Sequence, residues 1–169
     1  GAILVYTDTA LYQMQFIGPP FTFGFKQLGS NCGAVGIHSA IDVSGISFWM
    51  GNDSFFQFDG AVKKIACSVQ DYVFDDINTN ALGDVFCASN TDFNEVIWFY
   101  PSKNSLQIDR HVTYNYAEKL WYVGTLARSS WADRGVYSNP YAAEFDSDDT
   151  TATISTINGV KEGRTFVYA

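Results

Sequence analysis

The chain has 169 residues and a formal net charge of −8, from 10 Lys and Arg against 18 Asp and Glu. Hydrophobic residues make up 47% and charged residues only 17%, against about 25% charged in ordinary domains, which excludes a disordered chain. The basic clusters needed to neutralise a phosphate backbone are missing, and no apolar run approaches the roughly 20 residues of a membrane-spanning helix.

The charge deficit is made up by 14 Phe, 10 Tyr and 4 Trp. Such side chains suit the half-buried face of a pleated sheet, so the bias favours strands over helices. Cys32, Cys67 and Cys87 are odd in number and widely spaced, with no Cys-x-x-Cys pair. They read as small buried hydrophobes in a chain made in a reducing compartment, not as a disulfide framework. Gly1 leads straight into Ala2-Ile3-Leu4-Val5-Tyr6, and the chain closes on Thr165-Phe166-Val167-Tyr168-Ala169. With strand-like runs at both ends and no initiating Met, a piece of a longer protein is expected.

In chain order, a first hairpin is predicted in Leu4 to Met14, with Thr7-Asp8-Thr9 as its turn. Asp and Asn bond their own backbone and tolerate the left-handed region, so they close tight hairpins. Ile17 to Gly36 reads as a long Gly-rich loop. Ala40 to Val43 reads as a strand, and Ser47 to Gly60 as a second hairpin around Gly51-Asn52-Asp53. One short helix is predicted from Val69 towards Ile77, with Val69, Tyr72, Val73 and Ile77 on one stripe. Val85 to Ala88 is a further strand.

A third hairpin is read in Ile97 to Asp109, its second strand falling at Leu106-Gln107-Ile108. Strands at Val112 to Tyr116 and Leu120 to Leu126 extend it into a four-stranded meander. Ser129 to Asp149 reads as loop, and Thr150 to Ile157 as a strand before an Asn158-Gly159 turn. The two long loops, Ile17 to Gly36 and Ser129 to Asp149, are the candidate partner contacts, since long loops often carry function.

The hairpins repeat. Tyr6 and Trp49 are 43 residues apart, and Trp49 and Trp98 are 49 apart. A spacing of about 40 to 50 residues is that of one four-stranded propeller blade. The fold predicted is all-β: antiparallel β-meander repeats forming consecutive blades of a β-propeller. Residues 1–128 hold about three units, and 129–169 a loop-rich segment plus a further hairpin. Trp49, Trp98 and Trp121 are the candidate structural core of the blades.

No catalytic set emerges. His38 and His111 are the only histidines, and neither accompanies a Gly-x-Ser-x-Gly elbow. Asp146, Asp148 and Thr150 match the first ligands of a calcium loop. Its sixth position, however, holds Thr151 where Gly is required, and its twelfth Ile157 where Glu is required. Gly29-Ser30-Asn31-Cys32-Gly33 lacks the Lys of a phosphate-binding loop. The expectation is no enzyme, no cofactor and no metal.

Several strings resemble tail proteins of tailed bacteriophages. They are Tyr6 to Phe25, Phe48-Trp49-Met50-Gly51-Asn52-Asp53, Phe56 to Gly60, Asp71 to Asn78, Asn94 to Ser102, and Trp121 to Arg128. The likeness runs from Leu4 to Trp131 and is closest to the hub or nozzle proteins of short-tailed phages, also described as stabilisation or tail tubular B proteins. It implies a propeller-containing subunit in a ring, commonly a hexamer, below portal and adaptor in the virion tail. DNA would pass through without sequence-specific contact, along an acidic wall that repels phosphates. The alternatives are a carbohydrate-binding or receptor-binding propeller, marked by exposed Trp and Tyr beside carboxylates, and a propeller binding a host protein.

Overall fold

Short apolar runs separated by turn residues fold into antiparallel strands, and the computed structural model describes residues 2–135, 139–144 and 153–155. Sheet 1 has the order β1-β2-β3, from Ala2–Tyr6, Ala10–Phe16 and Phe23–Ser30. Sheet 2 is β4-β5-β6-β7, from Ala40–Val43, Ile46–Met50, Phe55–Phe58 and Val62–Ile65. Sheet 3 is β8-β9-β10-β11, from Phe86–Asn90, Glu95–Tyr100, Arg110–Asn115 and Leu120–Thr125. Sheet 4 is β12-β13-β14, from Ser130–Ala132, Tyr141–Glu144 and Thr153–Ser155. The chain is therefore all-β, and each sheet is a meander of sequence neighbours.

Turn chemistry fixes the joints. Ser44 and Gly45 both have positive φ, the geometry of a two-residue hairpin whose twist matches its strands, and Val43 and Ile46 face each other across it. The one α-helix among the described residues, α1, spans Gln70–Asp76 between sheets 2 and 3. It buries Val73, and Ile77 just beyond its end is buried as well, but Tyr72 of the predicted stripe is exposed.

The sheets pack face to face in the order of the chain. Leu11, Trp49 and Phe56 close the seam between sheets 1 and 2, with Leu4 and Tyr6 against them. Phe48, Met50 and Phe55 meet Val96, Trp98, Tyr100, Val112 and Tyr114 between sheets 2 and 3. Ile97 and Phe99, with Trp131 packed on them, form the third seam. Sheets 2 and 3 are thus apolar on both faces, which explains strands that read as continuous apolar runs and not as alternation.

Four further expectations are corrected. The stretch from Ile17 to Gly36 contains β3, paired to β2 along its length from Phe16↔Phe23 to Ala10↔Ser30, with an irregularity between Leu11 and Tyr12. Leu106 to Ile108 is not a strand: β9 pairs with β10, and the connection between them is an irregular loop. Within 129–149, β12 and β13 are strands, where single aromatics among turn residues read as loop.

The fourth correction is of register. The hairpins close on equivalent bonds, Thr7 N–H to Ala10 C=O at 3.0 Å and Gly51 N–H to Ser54 C=O at 2.8 Å, so the true offset is 44 residues (51 minus 7). Tyr6 matches Met50, and Val5 matches Trp49. A one-residue slip flips a side chain to the other face. Matching aromatic to aromatic equates Tyr6 with Trp49, yet the two rings touch across the first seam, centroids 5.4 Å apart and edge to face.

Candidate functional site

The most regular device in the molecule is a set of indole hydrogen bonds across the seams. Trp49 of sheet 2 donates its Nε1–H to the Cys32 carbonyl, just after β3, at 2.7 Å. Trp98 of sheet 3 donates to Ser39, just before β4, at 3.0 Å. Trp121, also of sheet 3, donates to Ala66, just after β7, at 2.8 Å. Trp131 of sheet 4 donates to Ser89 in β8 at 2.8 Å. Every tryptophan reaches back to the preceding sheet. A buried indole needs an acceptor, and a backbone carbonyl at a sheet margin supplies one.

Trp49 and Trp98 are 0% exposed, whereas Trp121 is half-buried on the outer strand of sheet 3. Trp121 stacks on Tyr114, centroids 4.5 Å apart, and lies 4.7 Å from Phe55 of sheet 2. Close to the first seam the chain also hooks over the β1–β2 turn. Cys32 N–H bonds Thr9 C=O at 3.1 Å and Ala34 N–H bonds Thr7 C=O at 2.9 Å. Between them, a Cβ on Gly33 would lie 2.0 Å from the Asp8 carbonyl oxygen, so only glycine fits.

A cleft of about 290 Å³ opens between sheets 3 and 4, walled by Phe93, Glu95, His111, Thr113, Tyr122 and Trp131. Its polar groups are tied to one another. Glu95 accepts the Tyr122 hydroxyl on Oε1 and Asn90 Nδ2–H on Oε2, the latter at 3.1 Å. Burial, followed by the bond to Glu95, pushes the Tyr122 phenol up to about 12. Burial also holds His111 below the ordinary imidazole range, and its Nδ1 sits 3.1 Å from Thr113 Oγ1.

Glu95 is the single carboxylate among the described residues of this wall, so the paired acids of a glycoside hydrolase are not assembled there. His38 lies apart from His111. Its carbonyl accepts Cys87 N–H at 2.8 Å, and it forms a parallel bridge with Phe86 of β8. Among the described residues no group of three or more His, Cys, Asp or Glu side chains could hold a metal ion, and no helix is long and apolar enough to cross a membrane. The calcium-like run from Asp146 to Ile157 lies largely outside the described residues.

The indole bonds are invisible in sequence, because their acceptors are backbone carbonyls. The cleft has a weak sequence signal at best, since its walls come from residues 93 to 131 on several elements. No family model and no curated protein matches this chain.

Proposed function

We propose that the chain contributes consecutive blades of a β-propeller to a structural subunit of a bacteriophage tail, in the nozzle or hub ring that conducts the genome. The observation that carries this reading is the serial face-to-face stacking of four antiparallel meanders in chain order. Propeller blades pack in this manner. At one margin, β4 and β8 approach each other through the His38–Phe86 bridge, as inner strands of adjoining blades do. The tail assignment rests on the resemblance of the strings from Leu4 to Trp131.

In this role the protein works by shape and cohesion, not by turnover. Its partners are further copies in a ring, a hexamer by the resemblance, and portal and adaptor proteins of the virion. DNA passes without sequence-specific binding, and the net charge of −8 suits a wall that repels phosphates. Light scattering on a sizing column tests the reading, on the protein alone and with purified portal-type partners. A discrete ring-sized mass supports it, and a strict monomer under every condition rejects it.

The cleft between sheets 3 and 4 favours one second reading, a carbohydrate-binding module. Phe93 and Tyr122 are exposed there beside Glu95 and Trp131. A glycan array, with sugar-dependent thermal stabilisation as a second readout, separates the two.

A further inference from the structure

The two walls of the cleft between sheets 3 and 4 are bonded to each other. Besides the Trp131 indole bond to Ser89 C=O, the Asp133 carboxylate, just after β12, accepts Ser89 Oγ–H at 2.8 Å and Thr91 N–H at 3.0 Å. Arg134 Nη1 pairs with Asp92 at 2.7 Å on the same rim. The opening of about 290 Å³ is therefore framed by fixed walls.

Each aromatic side chain of the cleft is anchored separately. Trp131 is held by its indole bond and by Phe99, ring centroids 6.0 Å apart. Tyr122 is held by its hydroxyl, which donates to Glu95. Phe93 ends a single 3-10 turn, Thr91–Phe93, closed by Asn94 in the left-handed region, and its carbonyl accepts Asn115 Nδ2–H at 2.9 Å. Yet Phe93 is 55% exposed and Tyr122 40%. Rings fixed in place but left in water lose little further freedom when a ligand covers them.

The charge in the cleft is of one sign. Glu95 accepts one bond on each oxygen, from Tyr122 and Asn90, and each oxygen keeps a further lone pair. Among the described residues no Lys or Arg lines the cleft, and burial favours the uncharged His111 ring. Aromatic rings add to this, because their faces are negative.

The geometry points to this cleft as a binding site for an organic cation, a compact alkylated ammonium group seated against Phe93, Tyr122 and Trp131 with Glu95 as its counter-ion. Ring faces attract such a group within about 6 Å, and the carboxylate supplies the net charge. An alkylated ammonium suits the site better than a primary one. Its methyl groups pack on Ile97 and Leu126, also in the lining, and it demands no acceptor from a carboxylate already engaged twice. A calcium ion is a poor fit, since it takes about 6 to 8 oxygen ligands and the described wall offers one carboxylate. The inference stands apart from the carbohydrate reading: a neutral sugar needs none of this charge, and a glycan bearing an alkylated ammonium group would satisfy both.

The test is titration of choline into the full 169-residue chain at constant ionic strength, read by calorimetry and by the Trp131 indole N–H resonance. Choline should bind with a Kd of about 1 mM or tighter. Its uncharged carbon isostere, with a tert-butyl group in place of the trimethylammonium, should bind at least about tenfold more weakly. Glu95→Gln keeps an acceptor for Tyr122 but removes the charge, and should weaken choline binding by about tenfold. Phe93→Leu, at an exposed position, keeps an apolar side chain without the ring and should weaken it by about threefold. Thermal melts verify that both variants are folded. Equal binding of choline and its isostere overturns the assignment, as does choline binding that survives both substitutions. Absence of heat and of resonance shift at about 20 mM choline overturns it too, and leaves the sugar reading to its glycan array. Phosphatidylcholine vesicles then identify the source of the group: they sediment the protein if it is a lipid head group, and leave it in solution if the carrier is soluble.

Discussion

The Trp98 indole N–H donates to the Ser39 carbonyl at 3.0 Å, and both residues are fully buried. This bond joins a strand of sheet 3 to the entry of sheet 2 across 59 residues of sequence. Ser39 C=O also accepts Met50 N–H, so the carbonyl sits where two sheets are tied together. Trp98→Phe keeps a ring in the seam but removes the donor, and should cost about 1–3 kcal/mol. Trp98→Ala should cost about 3–5 kcal/mol, with Trp121→Ala costing less because its ring is partly solvated. Urea denaturation of the three variants gives the ranking, and an undiminished Trp98→Ala protein would refute the seam as the seat of stability.

Gly33→Ala should destabilise by at least about 1–3 kcal/mol, although it adds one methyl group. The new carbon would overlap the Asp8 and Thr9 backbone, and neither can rotate away as a side chain could. Gly83→Ala is the control, because nothing lies within 4 Å of its added carbon. Thermal melts of the pair should separate by several degrees.

Tyr100 is fully buried, and its hydroxyl has no hydrogen-bond partner among the described residues. Burial raises its phenol well above the usual tyrosine range. Tyr100→Phe removes a desolvated polar atom while keeping the ring, and should be neutral or stabilising by up to about 1 kcal/mol. A loss of stability in this variant would reveal a partner for the hydroxyl.

Stability should fall as the pH drops below the unfolded imidazole value of about 6.5. Burial lowers the His111 pKa in the folded state, so the unfolded chain binds the proton first and gains from it. The contribution of neutral His111 is complete above that value and declines until the folded pKa is reached. Glu95 shares the cleft, but its oxygens are engaged by Tyr122 and Asn90. Denaturation midpoints at pH 7.5 and 5.0 should differ, and His111→Gln should remove the part due to this ring.

The three cysteines are free thiols, and burial raises each above the ordinary range, Cys67 to about 11. At pH 8 a thiol of that pKa is about 0.1% thiolate, so iodoacetamide should label the folded protein slowly. All three should react promptly in urea. Rapid labelling of Cys67 without denaturant would contradict its burial.

Much of the sheet structure was legible because turn residues punctuate it. Ala40 to Val43 was read with its observed bounds, and Asp8 and Asn52-Asp53 mark real hairpin turns. β3 was missed because its run, Phe-Gly-Phe-Lys-Gln-Leu-Gly-Ser, carries two glycines and follows Gly18-Pro19-Pro20, which reads as loop chemistry. Leu106 to Ile108 misled in the opposite sense, being apolar in pattern but held in a loop. There Asp109 accepts the Ser102 backbone N–H and hydroxyl, each at 2.7 Å. Pairing of the hairpins by their aromatics placed Tyr6 one residue out, because the repeat conserves the direction a side chain faces, not its identity. The cleft was legible only as a kind of surface to look for, since its members meet through strand register that no local pattern encodes.

The four indole bonds all point the same way, from a later sheet to an earlier one. The acceptor carbonyls at Cys32, Ser39, Ala66 and Ser89 are each made by the ribosome before the tryptophan that will use them. Each newly emerging sheet thus meets a surface already laid down and can lock onto it on arrival, with no wait for the residues that follow. The stack is built for assembly in the direction of synthesis, and its most recently made margin is the one that stands open at each step.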